Sequence, residues 1–322
     1  LDVYFYEAFE EEQEALRESL PISIKAGFVK STVQESGDFQ PPARLISIRT
    51  QSRIPSEWKD SIDGVLSRST GYDHLKSFLI ASSNKVACGY LPLYCNRAVA
   101  EQAMLMWMAL LRKLPTQIEN FLSFKRDGLT GRECIGKTLL IVGVGNIGYE
   151  VVKIGIGLGM EVFGVDIVKK HSSVKYVSIE QGIGRADVIV CAMNLTEENR
   201  GYFDYDLLSR ARPEAIFINV ARGEMSPPTD LYRLLSERRI GGVGLDVYQD
   251  ESRLAVSLRQ KTKIVDDETR ATLKLLEFPN VILTPHNAFN TREAVKRKSE
   301  HTVRQIAYFF ENGSFLWPVP QE

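Results

Sequence analysis

Three observations predict an α/β fold in which a doubly wound parallel sheet is inserted into a smaller α/β domain. Short apolar runs alternate with amphipathic stretches along the 322 residues. A glycine-rich turn sits in mid-chain between two such runs, and the final amphipathic stretch is too long to cap that sheet alone. The expected division is residues 1–98 with 290–322 for the outer domain and residues 99–289 for the inserted one.

In the outer domain, Val3-Tyr4-Phe5-Tyr6 reads as a strand, Phe9 to Ser19 as a helix, and Ile22-Ser23-Ile24-Lys25-Ala26 as a second strand. Further strands are expected at Leu45–Ile48, Gly64–Ser67 and Val86–Cys88, and a helix from about Arg97 to Lys113 leads out of the domain. The acidic run Glu10–Glu14 is expected to form a solvated helix face. Met104, Trp107 and their neighbours mark a buried or subunit-contact helix.

The inserted domain opens with the apolar run Thr138–Val142, followed by Gly143-Val144-Gly145-Asn146-Ile147-Gly148 and an amphipathic stretch from Tyr149 to Gly159. A second apolar run, Met160–Val165, ends in Asp166, 18 positions after Gly148. Strand, glycine turn, helix, strand and acid at this spacing predict a dinucleotide-binding βαβ unit of the Rossmann type. Gly143 permits the tight turn, Gly145 lets backbone approach a pyrophosphate, and Gly148 lets helix and strand pack closely. The helix N-terminus favours the phosphates. Asp166 accepts from ribose hydroxyls and repels a 2′-phosphate, which favours NAD, although Lys169 and Lys170 weaken that preference.

Strands are next expected at Asp187–Val190, Ala215–Asn219, Gly242–Asp246 and Val281–Thr284, with one long connection of weak periodicity from Leu254 to Arg270. Behind these strands come Arg222, Glu251 and His286. The carboxyl ends of parallel strands border the ligand crevice, so the three can converge beside a nicotinamide. Reduction of a 2-oxo acid needs a fixed cation for the carboxylate and a proton donor for the carbonyl oxygen. Arg222 has the planar fork for the first task. His286 can exchange a proton near neutral pH, with Glu251 orienting the ring and favouring its protonated form. His74, His171 and His301 lie outside this arrangement.

Composition excludes other classes. Forty basic residues against 41 acidic ones leave no whole-chain attraction to nucleic acid or anionic membrane. The longest apolar run, Ala103–Leu111, is too short to span a bilayer. Cys88, Cys95, Cys134 and Cys191 have neither metal-like nor paired spacing, so no metal site is expected and a reducing, cytoplasmic setting is. The chain shows no secretory leader, but it begins at Leu1 rather than Met, which leaves a preceding segment open.

These residues resemble those of the NAD-dependent D-2-hydroxyacid dehydrogenases, and within them the fermentative D-lactate dehydrogenases. The resemblance is carried by Arg68-Ser69-Thr70-Gly71, Pro92-Leu93-Tyr94, Ala98-Val99-Ala100-Glu101, the glycine loop with Asp166, Asn219-Val220-Ala221-Arg222-Gly223, Gly244–Tyr248, Phe278-Pro279-Asn280-Val281 and Thr284–Thr291. It implies a flavodoxin-like substrate domain, with Arg222, Glu251 and His286 as the catalytic trio. It also implies that Asp246 holds the nicotinamide carboxamide, and that the N–H groups of Thr70 and Gly71 bind the substrate carboxylate while Tyr94 lines the cleft. Asn146, Ile147, Val220, Ala221, Met193, Asn194 and Asn199 match further cofactor contacts. Three departures stand out: Asn194 where the family has proline, Pro227-Pro228 after the arginine loop, and Leu93 and Cys95 flanking Tyr94.

The expected function is reversible hydride transfer between NADH and a small 2-oxo acid, with pyruvate and D-lactate as the leading pair. The alternatives are a larger 2-oxo acid, glyoxylate or hydroxypyruvate, or an NADH-sensing binding protein without turnover. A homodimer or higher homo-oligomer is expected.

Overall fold

The computed structural model describes residues 1–262 and 266–320. The chain forms two compact units, Leu1–Cys95 with the segment from Asn290 onward, and Asn96–Phe289.

The first unit is built on five parallel strands: β1 (Val3–Phe5), β2 (Ala26–Phe28), β3 (Leu45–Ile48), β4 (Gly64–Ser67) and β5 (Ala87–Gly89). Their order, β2-β1-β3-β4-β5, is that of flavodoxin-like sheets. Strands β3 and β4 are buried along their whole length, as expected for a parallel sheet covered on both faces. The second strand begins later than the sequence predicts: Ile22 is fully exposed, and Ala26–Phe28 pairs with β1 instead. The last helix, Arg292–Asn312, is capped by Thr291, whose hydroxyl accepts the Ala294 N–H at 3.2 Å. It packs on β4 and on the helix Glu10–Ser19. Glu12 of that helix is fully buried and does not meet the expectation of a solvated acidic face. After it, the Val319 N–H reaches the Cys88 carbonyl at 2.8 Å, so the C-terminal segment covers the β5 edge.

The second unit contains seven parallel strands: β6 (Thr138–Val142), β7 (Glu161–Val165), β8 (Lys175–Tyr176), β9 (Val188–Cys191), β10 (Ile216–Asn219), β11 (Gly242–Leu245) and β12 (Val281–Leu283). The order β12-β11-β10-β9-β6-β7-β8 is doubly wound and reverses direction between β6 and β9. Ligands of open α/β sheets bind outside the strand ends at such a reversal. Strands β6, β9, β10 and β11 are buried at every position.

The helix Asn96–Leu111 packs against the glycine-loop helix and against β10 and β11. Met106 and Trp107 belong to its buried face. The connection expected at Leu254–Arg270 instead carries the helix Glu251–Gln260 and the start of Asp267–Lys274. Asp266 caps the latter by accepting the Thr269 N–H at 2.7 Å. Lys263–Val265 of that connection lie outside the described residues.

Candidate active site

The glycine loop follows β6 at the reversal. Gly143 has φ +93°, and a Cβ there would come within 2.6 Å of the Met193 nitrogen in the turn after β9. A Cβ on Gly148 would lie 1.9 Å from the Gly143 carbonyl oxygen, so only hydrogen lets this helix start so close to its strand. Above Gly145 there is open space, and no side chain caps the helix Asn146–Gly157 that begins there. Gly145 and Asn146 are exposed and Ile147 half-buried. An uncapped helix N-terminus under open space suits a pyrophosphate, so the residues present fit a dinucleotide. Asp166 closes the other end: its carboxylate accepts the Val144 N–H at 2.6 Å and the Val168 N–H at 2.9 Å. It therefore ties the glycine loop to the end of β7 and presents negative charge there.

The turn after β9 contains Met193, Asn194 and Asn199. The Asn199 amide donates to the Asn194 carbonyl at 2.8 Å and its oxygen accepts the Thr196 N–H at 2.8 Å. This side chain gives the turn its shape without a proline at 194.

Arg222, Asp246 and His286 follow the adjacent strands β10, β11 and β12, and Glu251 opens the helix after β11. Asn219 is fully buried at the end of β10. Its amide donates to the Arg222 carbonyl at 2.9 Å and to Ser226 Oγ at 2.8 Å, while its oxygen accepts the Ala221 N–H at 3.0 Å. That network fixes Val220, Ala221 and Arg222. A Cβ on Gly223 would sit 1.9 Å from the Tyr248 carbonyl carbon, so the arginine loop lies directly against the loop after β11. Pro228 begins the helix Pro228–Ser236, where its missing N–H costs no hydrogen bond, which accounts for the Pro227-Pro228 departure.

Asp246 is buried and clamps the histidine loop. It accepts Thr284 Oγ1 at 2.5 Å and the N–H groups of Asn287 and Ala288 at 2.8 Å each. Burial raises its pKa, opposed by the neighbouring His286 and by these hydrogen bonds. The Tyr248 hydroxyl donates to the Thr284 carbonyl at 2.7 Å, a second strap between the same two loops.

His286 Nδ1 lies 2.7 and 2.8 Å from the two carboxylate oxygens of Glu251. Both side chains are about one-fifth exposed, at 21% and 17%, so the pair is screened yet reachable from solvent. Each member depends on a left-handed residue, Asp250 at φ +46° before Glu251 and His286 itself at φ +50°. With Nδ1 engaged, Nε2 is the ring nitrogen left to exchange a proton.

In the first unit, Thr70 and Gly71 follow β4, and Tyr94 is buried in the segment after β5. Thr70 Oγ1 is 3.4 Å from Cys95 Sγ. Ser69 Oγ donates to the Gly71 carbonyl at 2.7 Å, and Arg297 Nε donates to the Tyr94 carbonyl at 2.9 Å. Burial raises the Tyr94 pKa well above its ordinary value. Burial also pushes the Cys88 and Cys191 thiols up to about 12, so neither is a nucleophile at neutral pH.

The sequence assigns no role to Asn219, Tyr248 or Thr284 beyond membership of the motifs; the signal for Asn219 and Thr284 is a polar residue at the end of an apolar strand, and Tyr248 lies in the loop after β11. The other histidines serve elsewhere: His74 Nε2 meets Ser67 Oγ at 2.9 Å, His171 stacks on Tyr149 at 3.8 Å, and His301 lies by Trp317.

Residues 103–288 match the family model for the D-isomer specific 2-hydroxyacid dehydrogenase NAD binding domain. The chain belongs to the D-isomer specific 2-hydroxyacid dehydrogenase family. It is 30% identical over 262 residues to a D-lactate dehydrogenase of Streptococcus agalactiae serotype III (strain NEM316), covering 79% of this chain and 78% of that one. It is also 30% identical over 249 residues to an aromatic 2-oxoacid reductase of Clostridium sporogenes, covering 76% and 72%. Among solved structures, it is similar to the D-lactate dehydrogenase of Aquifex aeolicus complexed with NAD and lactic acid. There the TM-score is 0.85 at 26% identity, with 99% of this chain and 100% of that one covered.

Within this dehydrogenase family the chain is an NAD-dependent oxidoreductase. Among the described residues, no helix is long and apolar enough to cross a membrane.

Proposed function

We propose that this dehydrogenase reduces pyruvate to D-lactate, reversibly, with Arg222, Glu251 and His286 as its catalytic residues. The observation that carries the reading is the His286–Glu251 pair, with both carboxylate oxygens within 2.8 Å of Nδ1, in the same row of strand ends as Arg222. When bound, the reduced nicotinamide supplies the hydride that attacks the substrate C2. Gly143, Gly145, Asn146, Ile147 and Gly148 would hold its pyrophosphate, Asp166 its adenosine ribose, and Asp246 its carboxamide. Met193, Asn194, Asn199, Val220 and Ala221 line the rest.

The chemistry of this chain's own residues is short. The Arg222 guanidinium pairs with the substrate carboxylate and polarises the adjacent carbonyl. His286, protonated and oriented through Nδ1 by Glu251, gives the Nε2 proton to the carbonyl oxygen. In the oxidative direction neutral His286 takes that proton back. Thr70 and Gly71 bind the carboxylate through their N–H groups, and Tyr94 shapes the pocket wall.

A larger, aromatic 2-oxo acid is the second reading, favoured by the similarity to the clostridial reductase and by Leu93, which is half-exposed beside Tyr94. A panel of pyruvate, glyoxylate, hydroxypyruvate and phenylpyruvate, run with NADH and with NADPH and followed by nicotinamide absorbance, decides between them. Pyruvate with NADH is expected to give the highest kcat/KM. Turnover of none of the four removes the proposal and leaves the NADH-sensing role.

We further propose a homodimer in the cytoplasm. The first part is supported by the exposed apolar residues Leu114, Ile118, Phe121, Leu122 and Phe124, and the second by four unbridged cysteines.

A further inference from the structure

The interior of the first unit holds charges that the reaction does not use directly. Lys298 occupies the buried stripe of the helix Arg292–Asn312, in register with Ala294, Val295 and Thr302, and is fully buried. Its Nζ lies 2.7 Å from Glu12 Oε1. Glu12 also takes Arg68 Nε at 2.9 Å, and both of those side chains are fully buried too. The Arg68 guanidinium further donates to Ser47 Oγ at 3.0 Å and to the Tyr6 carbonyl at 2.7 Å.

Two buried cations thus share one buried carboxylate. Glu12 and Arg68 alone make a balanced pair, and an apolar side chain at 298 would continue the stripe. A second buried cation is costly there, so stability does not account for it.

The contacts of Lys298 point to the substrate-binding segments. Its Nζ is 4.8 Å from the centre of the Phe9 ring and 5.8 Å from that of Tyr94. Arg297, the preceding residue, holds the Tyr94 carbonyl. Arg68, its partner through Glu12, directly precedes Ser69-Thr70-Gly71, and Thr70 touches Cys95 beside Tyr94.

We propose that Lys298 is a positioning residue for the 2-oxo acid: its ammonium fixes Tyr94 directly and the Thr70–Gly71 loop through Glu12 and Arg68. Its charge therefore sets substrate affinity and takes no part in hydride or proton transfer. The inference rests on the reading that Thr70, Gly71 and Tyr94 contact the substrate.

This positioning is sensitive to pH. Burial pushes the Lys298 amine down to about 7; Glu12 opposes the shift, while Arg49 and Arg68 add to it. The ammonium is present below that value and lost as pH rises through it. The other groups facing it hold their charge in this range. Burial acts to raise Glu12, but Arg68, Lys298 and Arg49 bring it down to about 2. Tyr94 stays protonated, and Arg49 and Arg68 stay cationic.

The test compares wild type with Lys298→Met on the best substrate of the panel, from about pH 6 to about pH 8.5, on either side of the lysine's value of about 7. The wild-type KM is expected to rise about thirtyfold over that span, the size of a desolvated cation–π contact. In Lys298→Met, KM is expected to be high already at the acid end and to lose the larger part of the wild-type pH dependence. Its kcat and its KM for NADH should stay near the wild-type values, and its Tm should not fall.

An unchanged KM in Lys298→Met overturns the proposal, as does a wild-type KM that ignores pH. A joint fall of kcat and Tm also overturns it, because that is the mark of a merely structural residue. Failure of the underlying functional reading shows separately, as a wild type that reduces no 2-oxo acid.

Discussion

His286, the proposed proton donor, has an unusual backbone. At φ +50° it occupies the left-handed region, which Asn, Asp and His enter more readily than other side chains. Asparagine is therefore the informative replacement, because it keeps the backbone and removes the transferable proton. His286→Asn is expected to lower kcat about 10³-fold, within the range of a lost general acid. Its NADH affinity, read by fluorescence titration, should be unchanged, since none of the glycine-loop or Asp166 contacts involves His286. Turnover within about tenfold of wild type, well short of that range, would remove the acid/base role.

The three loops after β10, β11 and β12 act as one element. Asn219 shapes the first, Asp246 clamps the third, and Gly223 brings the first against the second. In Gly223→Ala the new Cβ meets the Tyr248 backbone, which has no flexible end to move aside, so the arginine loop must shift. Because an error of about 1 Å in placement can cost 10²-fold in rate, kcat/KM for the 2-oxo acid is expected to fall about 10²-fold or more. NADH binding should survive, and a near-normal kcat/KM would show that the loop tolerates displacement.

The same loops mark how far sequence reasoning reaches. The placement of Arg222, Glu251 and His286 behind neighbouring strand ends was legible because parallel strands deliver their carboxyl ends to one side, and the glycine loop was legible because its spacing is a steric requirement. The side-chain clamps were not, since Asn219 and Thr284 have roles only through partners distant in sequence. The start of β2 differs because Ile22 and Ile24 look like a strand but lie in a turn, where the Ile24 N–H donates to the Pro21 carbonyl at 2.9 Å. The helices of the Leu254–Arg270 connection escaped because that stretch buries only a few side chains. Lys298 was hidden for the opposite reason: a lysine in an amphipathic helix reads as solvent-facing until the stripe around it is seen to be buried.

At the scale of the whole molecule, the apolar segment from Leu114 to Phe124 argues for assembly. Phe121 and Leu122 are 70% and 95% exposed within a few residues of Leu114, Ile118 and Phe124, a concentration that single chains rarely present to water. Light scattering is expected to return twice the 36.3 kDa chain mass for wild type and the single-chain mass for Leu122→Asp combined with Phe121→Asp. A wild-type mass of one chain would assign that surface to something else.

The Glu12–Arg68–Lys298 cluster also constrains how the chain can change over generations. Losing Lys298 leaves a neutral pair, whereas losing Glu12 leaves two like charges sealed in the interior. Substitutions among the three positions are thus epistatic and ordered: position 298 can change without stranding a charge, whereas the carboxylate can be lost only once neither Lys298 nor Arg68 remains.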